Sequence, residues 1–233
     1  MPESTSISML KPFTINPQLL QLPTPFPTPD ELRSVLSQRV WRTTEIIVRL
    51  WLTEGVPFAF QSCPAVYEDI RGWLSSRLNV HPKQITLVGS ARMGYSLAPP
   101  PDFGRPFGDH SDLDLTIVSR ELFEQVAEAF GRFRSDFVQG TLVATSDHEE
   151  ALWRANITFG QRNIPRGFMD ASKVPNRPAY LASQNINKAM WALSKKLEAT
   201  AGAPTFRRAS TRIYQDWQSF IEQATRNLTT ATT

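Results

Sequence analysis

The sequence predicts a mixed α/β (α+β) fold: a small mixed sheet with helices packed over it, and N-terminal and C-terminal helices closing the other side of a cleft. Two short apolar runs, Thr86–Val88 and Leu113–Val118, read as strands, the second rich in β-branched residues. Segments before and after them place apolar residues at helical spacing. With 41% apolar and 20% charged residues in 233, the chain can bury a proper core as one large domain or one and a half small ones.

The elements follow in order. Residues 1–29 are punctuated by Pro17, Pro23, Pro25, Pro27 and Pro29, which predicts an extended arm strapped on through Leu19, Leu20, Leu22 and Phe26. Thr28-Pro-Asp-Glu31 is a capping box with proline at the first helical position, opening one helix to about Glu54 that Gly55 ends. A second helix runs from Pro64 to Leu78, and Cys63 before it suits packing or capping better than nucleophilic chemistry. His81-Pro82 then breaks the chain ahead of the first strand. Ser119 caps a helix to about Phe137, Thr141–Thr145 reads as a short strand, and Glu149–Phe159 as another helix, begun by the Ser146–Glu149 capping box. A strand-like approach near Phe168 precedes a basic amphipathic helix from about Pro178 to Thr200. A loop carries Phe206–Arg212 into a final helix with Ile213, Trp217, Phe220 and Ile221. This divides the chain into an arm (1–29), N-terminal helices (30–80), a central sheet unit (81–176), a C-terminal helical part (177–228) and a disordered tail (229–233).

Chemistry concentrates in Thr86-Leu-Val-Gly-Ser90 and Ser111-Asp-Leu-Asp-Leu115. A strand alternates its side chains, so Asp112 and Asp114 emerge on one face, ~6–7 Å apart. That spacing suits divalent cations, which lie ~3.5–4 Å apart in two-metal phosphoryl enzymes. The chain holds a second acidic i, i+2 pair, Asp147/Glu149, but a helix start accounts for it. Asp112 and Asp114 instead sit in an apolar run, where charge is costly unless compensated. Gly89 permits a tight turn, and the Ser90 hydroxyl with nearby amides suits phosphate oxygens.

A strand ending in Gly-Ser, followed by a strand carrying Asp-x-Asp, resembles the nucleotidyltransferase superfamily, which includes DNA polymerase beta, poly(A) polymerases, aminoglycoside nucleotidyltransferases and bacterial cyclic-oligonucleotide synthases. The likeness covers Ile85 to Val118 and extends toward Pro175. It implies a palm-type sheet, an NTP substrate, and two magnesium ions (or manganese) on Asp112 and Asp114. Asp170, in Arg166-Gly-Phe-Met-Asp170, is its candidate third carboxylate, with a turn residue as the competing reading. For the nucleotide it implies Gly89, Ser90, Arg92 and Lys195; for the lysine the competing reading is a solvated helix face. Arg207, Arg208 and Arg212 are further candidates for phosphate. The chain departs from the small members in the 22 positions from Ser90 to Asp112, where the Pro- and Gly-rich stretch 98–108 predicts a lid or rim bearing Arg105, with His110 beside it. The implied activity is transfer of an NMP to a hydroxyl acceptor with pyrophosphate release. A small molecule, nucleotide, RNA or protein all offer that hydroxyl. Two other readings stay open: a non-catalytic nucleotide or RNA sensor, and an antitoxin-type enzyme that modifies a protein.

Charge and cysteine usage narrow the classes further. A net charge of +3 is too mild to mark a nucleic-acid binder. One cysteine rules out an internal disulfide and fits a reducing compartment. No 18-residue apolar run or basic-then-apolar leader is present, so the expected setting is soluble and cytoplasmic, without membrane contact.

Overall fold

A computed structural model describes residues 13–14 and 16–231, so the arm's residues 1–12 and 15 and the tail's 232–233 lie outside the described residues. Thr28 caps Pro29–Leu36 (α1) with both halves of the box formed, Thr28 to the Glu31 amide and Glu31 back to the Thr28 amide. The single helix expected to Glu54 is broken. Arg39 turns at φ 53° and Val40 is extended, after which Trp41–Ile47 (α2) continues into a π-helical turn, Val48–Leu52. The run Val40, Thr43, Thr44, Ile46, Ile47, Val48 explains the weakness, because β-branched side chains lose χ1 freedom in a helix. The arm is strapped down as expected at Leu22, which is buried, and at Phe26, whose ring stands edge-on to Phe58 at 5.7 Å; Leu20 stays exposed. Trp51 Nε1 also donates to the Thr24 carbonyl at 2.7 Å.

Pro64–Leu78 (α3) begins and ends where the sequence places it, closing on Asn79 in the left-handed region. Ile85–Val88 (β1) leads into the short helix Gly89–Met93 (α4). Asp112–Val118 (β2) pairs antiparallel with β1, setting Val88 opposite Asp114. Ser119 caps Arg120–Val138 (α5) by accepting from the Leu122 amide. The Thr141–Thr145 strand is not formed. Leu142 N and Thr141 Oγ1 instead both donate to the Asp136 carbonyl, finishing α5. Asp147–Asn163 (α6) is capped by Ser146, while Glu149 reaches one residue further back, to the Thr145 amide and hydroxyl.

Phe168–Met169 (β3) and Leu181–Glu198 (α7) follow, then a strand where a loop and helix start were expected: Arg208–Tyr214 (β4). Trp217–Ala231 (α8) closes the chain, so residues 229–231 of the expected tail are helical, with Ala231 buried. The sheet order is β1-β2-β4-β3, with β4 parallel to β2 and antiparallel to β3. The 177–228 segment, expected to be helical, therefore supplies an inner strand.

Two cores flank the sheet. Leu113, Leu115, Ile117 and Ile213 pack with the buried faces of α3, α5 and α7. Val118, Tyr214 and Phe220 pack with α1, α2 and the π turn on the other side. Asp112 and Asp114 share the face of β2 that carries Val118, by alternation. Among the described residues no helix is long and apolar enough to cross a membrane.

The α5–α6 contact leaves no room at Gly160, where an added Cβ would meet the Phe130 ring at 2.3 Å. Gly160→Ala is expected to destabilise by about 1–3 kcal/mol through overpacking. Urea unfolding measures this; a variant at least as stable as the wild type would contradict so close an approach.

Candidate functional site

Strands β2 and β4 run side by side in register, with Asp112 beside Arg208 and Asp114 beside Ser210. Alternation puts Arg208, Ser210 and Arg212 on the same face as the two aspartates. Each of these β4 side chains engages a different carboxylate. Arg208 Nε donates to Asp112 Oδ2 at 3.3 Å, Ser210 Oγ to Asp114 Oδ1 at 2.6 Å, and Arg212 Nε and Nη2 to Asp170 Oδ1 and Oδ2 at 2.5 and 3.0 Å. Arg207, just before the strand, forks onto Asp112 with Nε–Oδ1 at 2.9 Å and Nη2–Oδ2 at 3.0 Å.

These groups line a cavity of about 750 Å³ that Gly89, Ser90, Asp112, Asp114 and Asp170 all share. The Gly-Ser turn and the aspartate pair, 22 positions apart in sequence, thus meet in space. Gly89 is required twice over. Its φ is +66°, and a Cβ there would stand 3.3 Å from Asp114 Oδ2. Arg105 and His110 from the rim also line the cavity, and Arg105 pairs with Asp102 at 3.0 Å. The rim is tied at its base by Ser96 N to Arg105 O, Gly104 N to Ser96 O and Phe107 N to Gly94 O, and Tyr95 Oη donates to the arm at Pro27 O.

Two expected nucleotide contacts lie elsewhere. Arg92 is 2% exposed, and its guanidinium donates to the carbonyls of Trp51, Gly55 and Glu54. It does not line the cavity, because on a helix a side chain two residues after Ser90 points roughly 200° away. Lys195 lies outside the cavity lining and pairs with Glu198 at 2.7 Å on α7. The residues missed are Ser210 and Lys173, both lining the cavity. The alternation Arg208, Ser210, Arg212 against Ala209, Thr211, Ile213 was the signal available for Ser210.

The two aspartates differ electrostatically. Burial opposes charge on Asp112, yet the hydrogen bonds and charges of Arg207 and Arg208 together hold its carboxyl below the usual range. Burial pushes Asp114 up, the Ser210 hydroxyl resists, and the neighbouring charge of Asp112 adds to the rise. A carboxyl raised on folding favours the fold in full below its unfolded-state value and loses that contribution as pH rises through the folded value. Ionised Asp114 is therefore a burden on the ligand-free fold at neutral pH. Asp114→Asn keeps an acceptor for Ser210 and is expected to stabilise by about 1 kcal/mol at pH 7, roughly 2–4 °C in Tm, with the gain vanishing in acid. Thermal melts at pH 7 and pH 4 check this, and a lower Tm at pH 7 would count against it.

Magnesium, which the family resemblance implies, can be tested against these donors. No hydrogen bond from the described residues reaches Asp114 Oδ2, and two hard carboxylates side by side suit a cation that takes its remaining ligands from phosphates or water. Asp114 fits such an ion as it stands, and Asp112 joins it once Arg207 and Arg208 give up its oxygens. Asp170 has both oxygens on Arg212, and among the described residues no three His, Cys, Asp or Glu side chains gather as a metal-ligand group. Comparison with protein-family models, curated proteins and solved structures finds no match for the chain.

Proposed function

We propose that this protein is a nucleotidyltransferase with a polymerase-beta-like palm, moving an NMP from an NTP to a hydroxyl acceptor. The acceptor hydroxyl gives up its proton to solvent as its oxygen attacks the α-phosphorus, the α–β anhydride bond breaks, and pyrophosphate leaves. The observation that carries this reading is the meeting of Asp112, Asp114 and the Gly89-Ser90 turn in one cavity. The charge of that cavity supports it. Arg105, Lys173, Arg207, Arg208 and Arg212 outnumber three aspartates, an excess that favours a polyanionic ligand.

Asp112 and Asp114 would hold a magnesium or manganese ion, which when bound neutralises triphosphate charge and lowers the pKa of a hydroxyl. The chain's own residues supply the rest. Ser90 orients phosphate oxygens, and arginine forks stabilise charge on the departing pyrophosphate. Such positioning accounts for much of the rate in phosphoryl chemistry.

Arginine occupancy of Asp112 and Asp170 favours, as a second reading, a regulator that binds nucleotide without turnover. Incubation with each labelled NTP and magnesium, with products separated by chromatography and proteins weighed by mass spectrometry, tests both. Pyrophosphate release, or a mass gain on a protein, supports transfer. Calorimetric binding without either supports the regulator, and no binding of any NTP sinks both.

A further inference from the structure

We propose that Arg207 and Arg208 latch Asp112 against a free divalent cation and release it only to a ligand bearing several phosphates. This rests on the nucleotide-site reading and adds an order of binding to it. The latch is set by backbone as well as side chains, since the Arg207 amide donates to the Ser111 carbonyl at 2.8 Å. The guanidinium then faces both oxygens of Asp112, the planar match that makes such pairs strong. Arg208 adds a second cation on Oδ2.

Exposure differs sharply between the partners. The Asp112 side chain is 18% exposed, whereas those of Arg207 and Arg208 are 61% and 68% exposed. The carboxylate is the enclosed partner, and the two arginine side chains are largely open to solvent.

Charge matching sets this pair apart from a simple surface ion pair. Arg212 has Asp170 to itself and Arg105 has Asp102, but Arg207 and Arg208 share one carboxylate, with no other ion pair among the described residues. One of these two guanidinium groups therefore has no carboxylate of its own to bond. A polyphosphate offers each guanidinium its own forked acceptor, and Asp112 is freed in the same exchange. A lone cation offers the arginines nothing and must displace them unaided.

The test is Mn²⁺ binding to the full chain at fixed ionic strength, followed by electron paramagnetic resonance of the free ion. Arg207→Gln/Arg208→Gln is expected to bind Mn²⁺ about tenfold more tightly than wild type, the loss of roughly one strong charge-assisted contact. Arg207→Lys, which keeps charge but loses the fork, should fall between them and serves if the double variant fails to fold. In metal-free buffer, calorimetry with inorganic tripolyphosphate should show the double variant about tenfold weaker than wild type. A folded double or Lys variant with wild-type Mn²⁺ affinity overturns the latch. If Asp112→Asn still lowers Mn²⁺ affinity in that case, the nucleotide-site reading survives. If no variant binds Mn²⁺ or tripolyphosphate, both are lost.

Discussion

Asp112→Asn is expected to lower magnesium-dependent pyrophosphate release by roughly 10²–10³-fold or more, the scale on which removing one preorganised charge-stabilising group acts. The substitution keeps the shape of the side chain and its acceptor oxygen but removes the charge that faces Arg207 and Arg208. Little stability should go with it, because both arginines are largely exposed and such pairs are worth ~0–1 kcal/mol. Circular dichroism and a thermal melt separate the two effects. A folded variant that still releases pyrophosphate at the wild-type rate would remove Asp112 from the chemistry. Set beside the expected rise in Tm of Asp114→Asn, the pair separates a carboxylate stabilised by its neighbours from one that strains the fold.

The largest effect on stability is expected at Arg92. Its guanidinium is buried, and burial works against the charge, lowering its pKa. The carbonyls of Trp51, Glu54 and Gly55 hold it there, where the π turn ends, and its guanidinium carbon stands 5.6 Å from the Phe26 ring. Arg92→Leu removes the donor set and leaves three acceptors to find other partners. The expected cost is about 3 kcal/mol, or a fall of roughly 6–12 °C in Tm. Arg92→Lys should recover little, since one ammonium cannot reproduce a planar fork spread over three carbonyls. Urea unfolding of both variants measures this, and a loss below about 1 kcal/mol would show that water replaces the side chain readily.

Where one physical signal dominated, the residues could be read directly. Proline at the start of α3 and Ser119 before α5 are local devices, and both helices begin where these place them. The Asp112/Asp114 pair was legible because alternation in a strand needs no tertiary context. Strand β4 was not, for the opposite reason. One of its faces lines a charged cavity, so Arg208, Ser210 and Arg212 occupy positions that apolar residues usually mark. Its neighbour β2 lies 96 positions away, as from Asp112 to Arg208, and no local pattern carries that pairing. Arg92 misled through proximity in sequence to Ser90, although helical rotation alone turns it to the other side. The break in the first long helix was written in its β-branched residues, but the evenly spaced Leu and Val positions masked it.

The sheet order has a consequence for how the molecule is made. The strand between β2 and β3 is the last of the four to leave the ribosome. Until Tyr214 emerges, both neighbours carry bare edges, the kind of exposure that invites wrong pairing in a nascent chain. Arg207 and the same late strand bring the partners of the three carboxylates, so a polypeptide released before residue 207 would hold Asp112, Asp114 and Asp170 without the side chains that bond them. Synthesis thus delivers the carboxylates ahead of the arginines and serine that bond them, and a prematurely terminated product lacks an inner strand and those partners together.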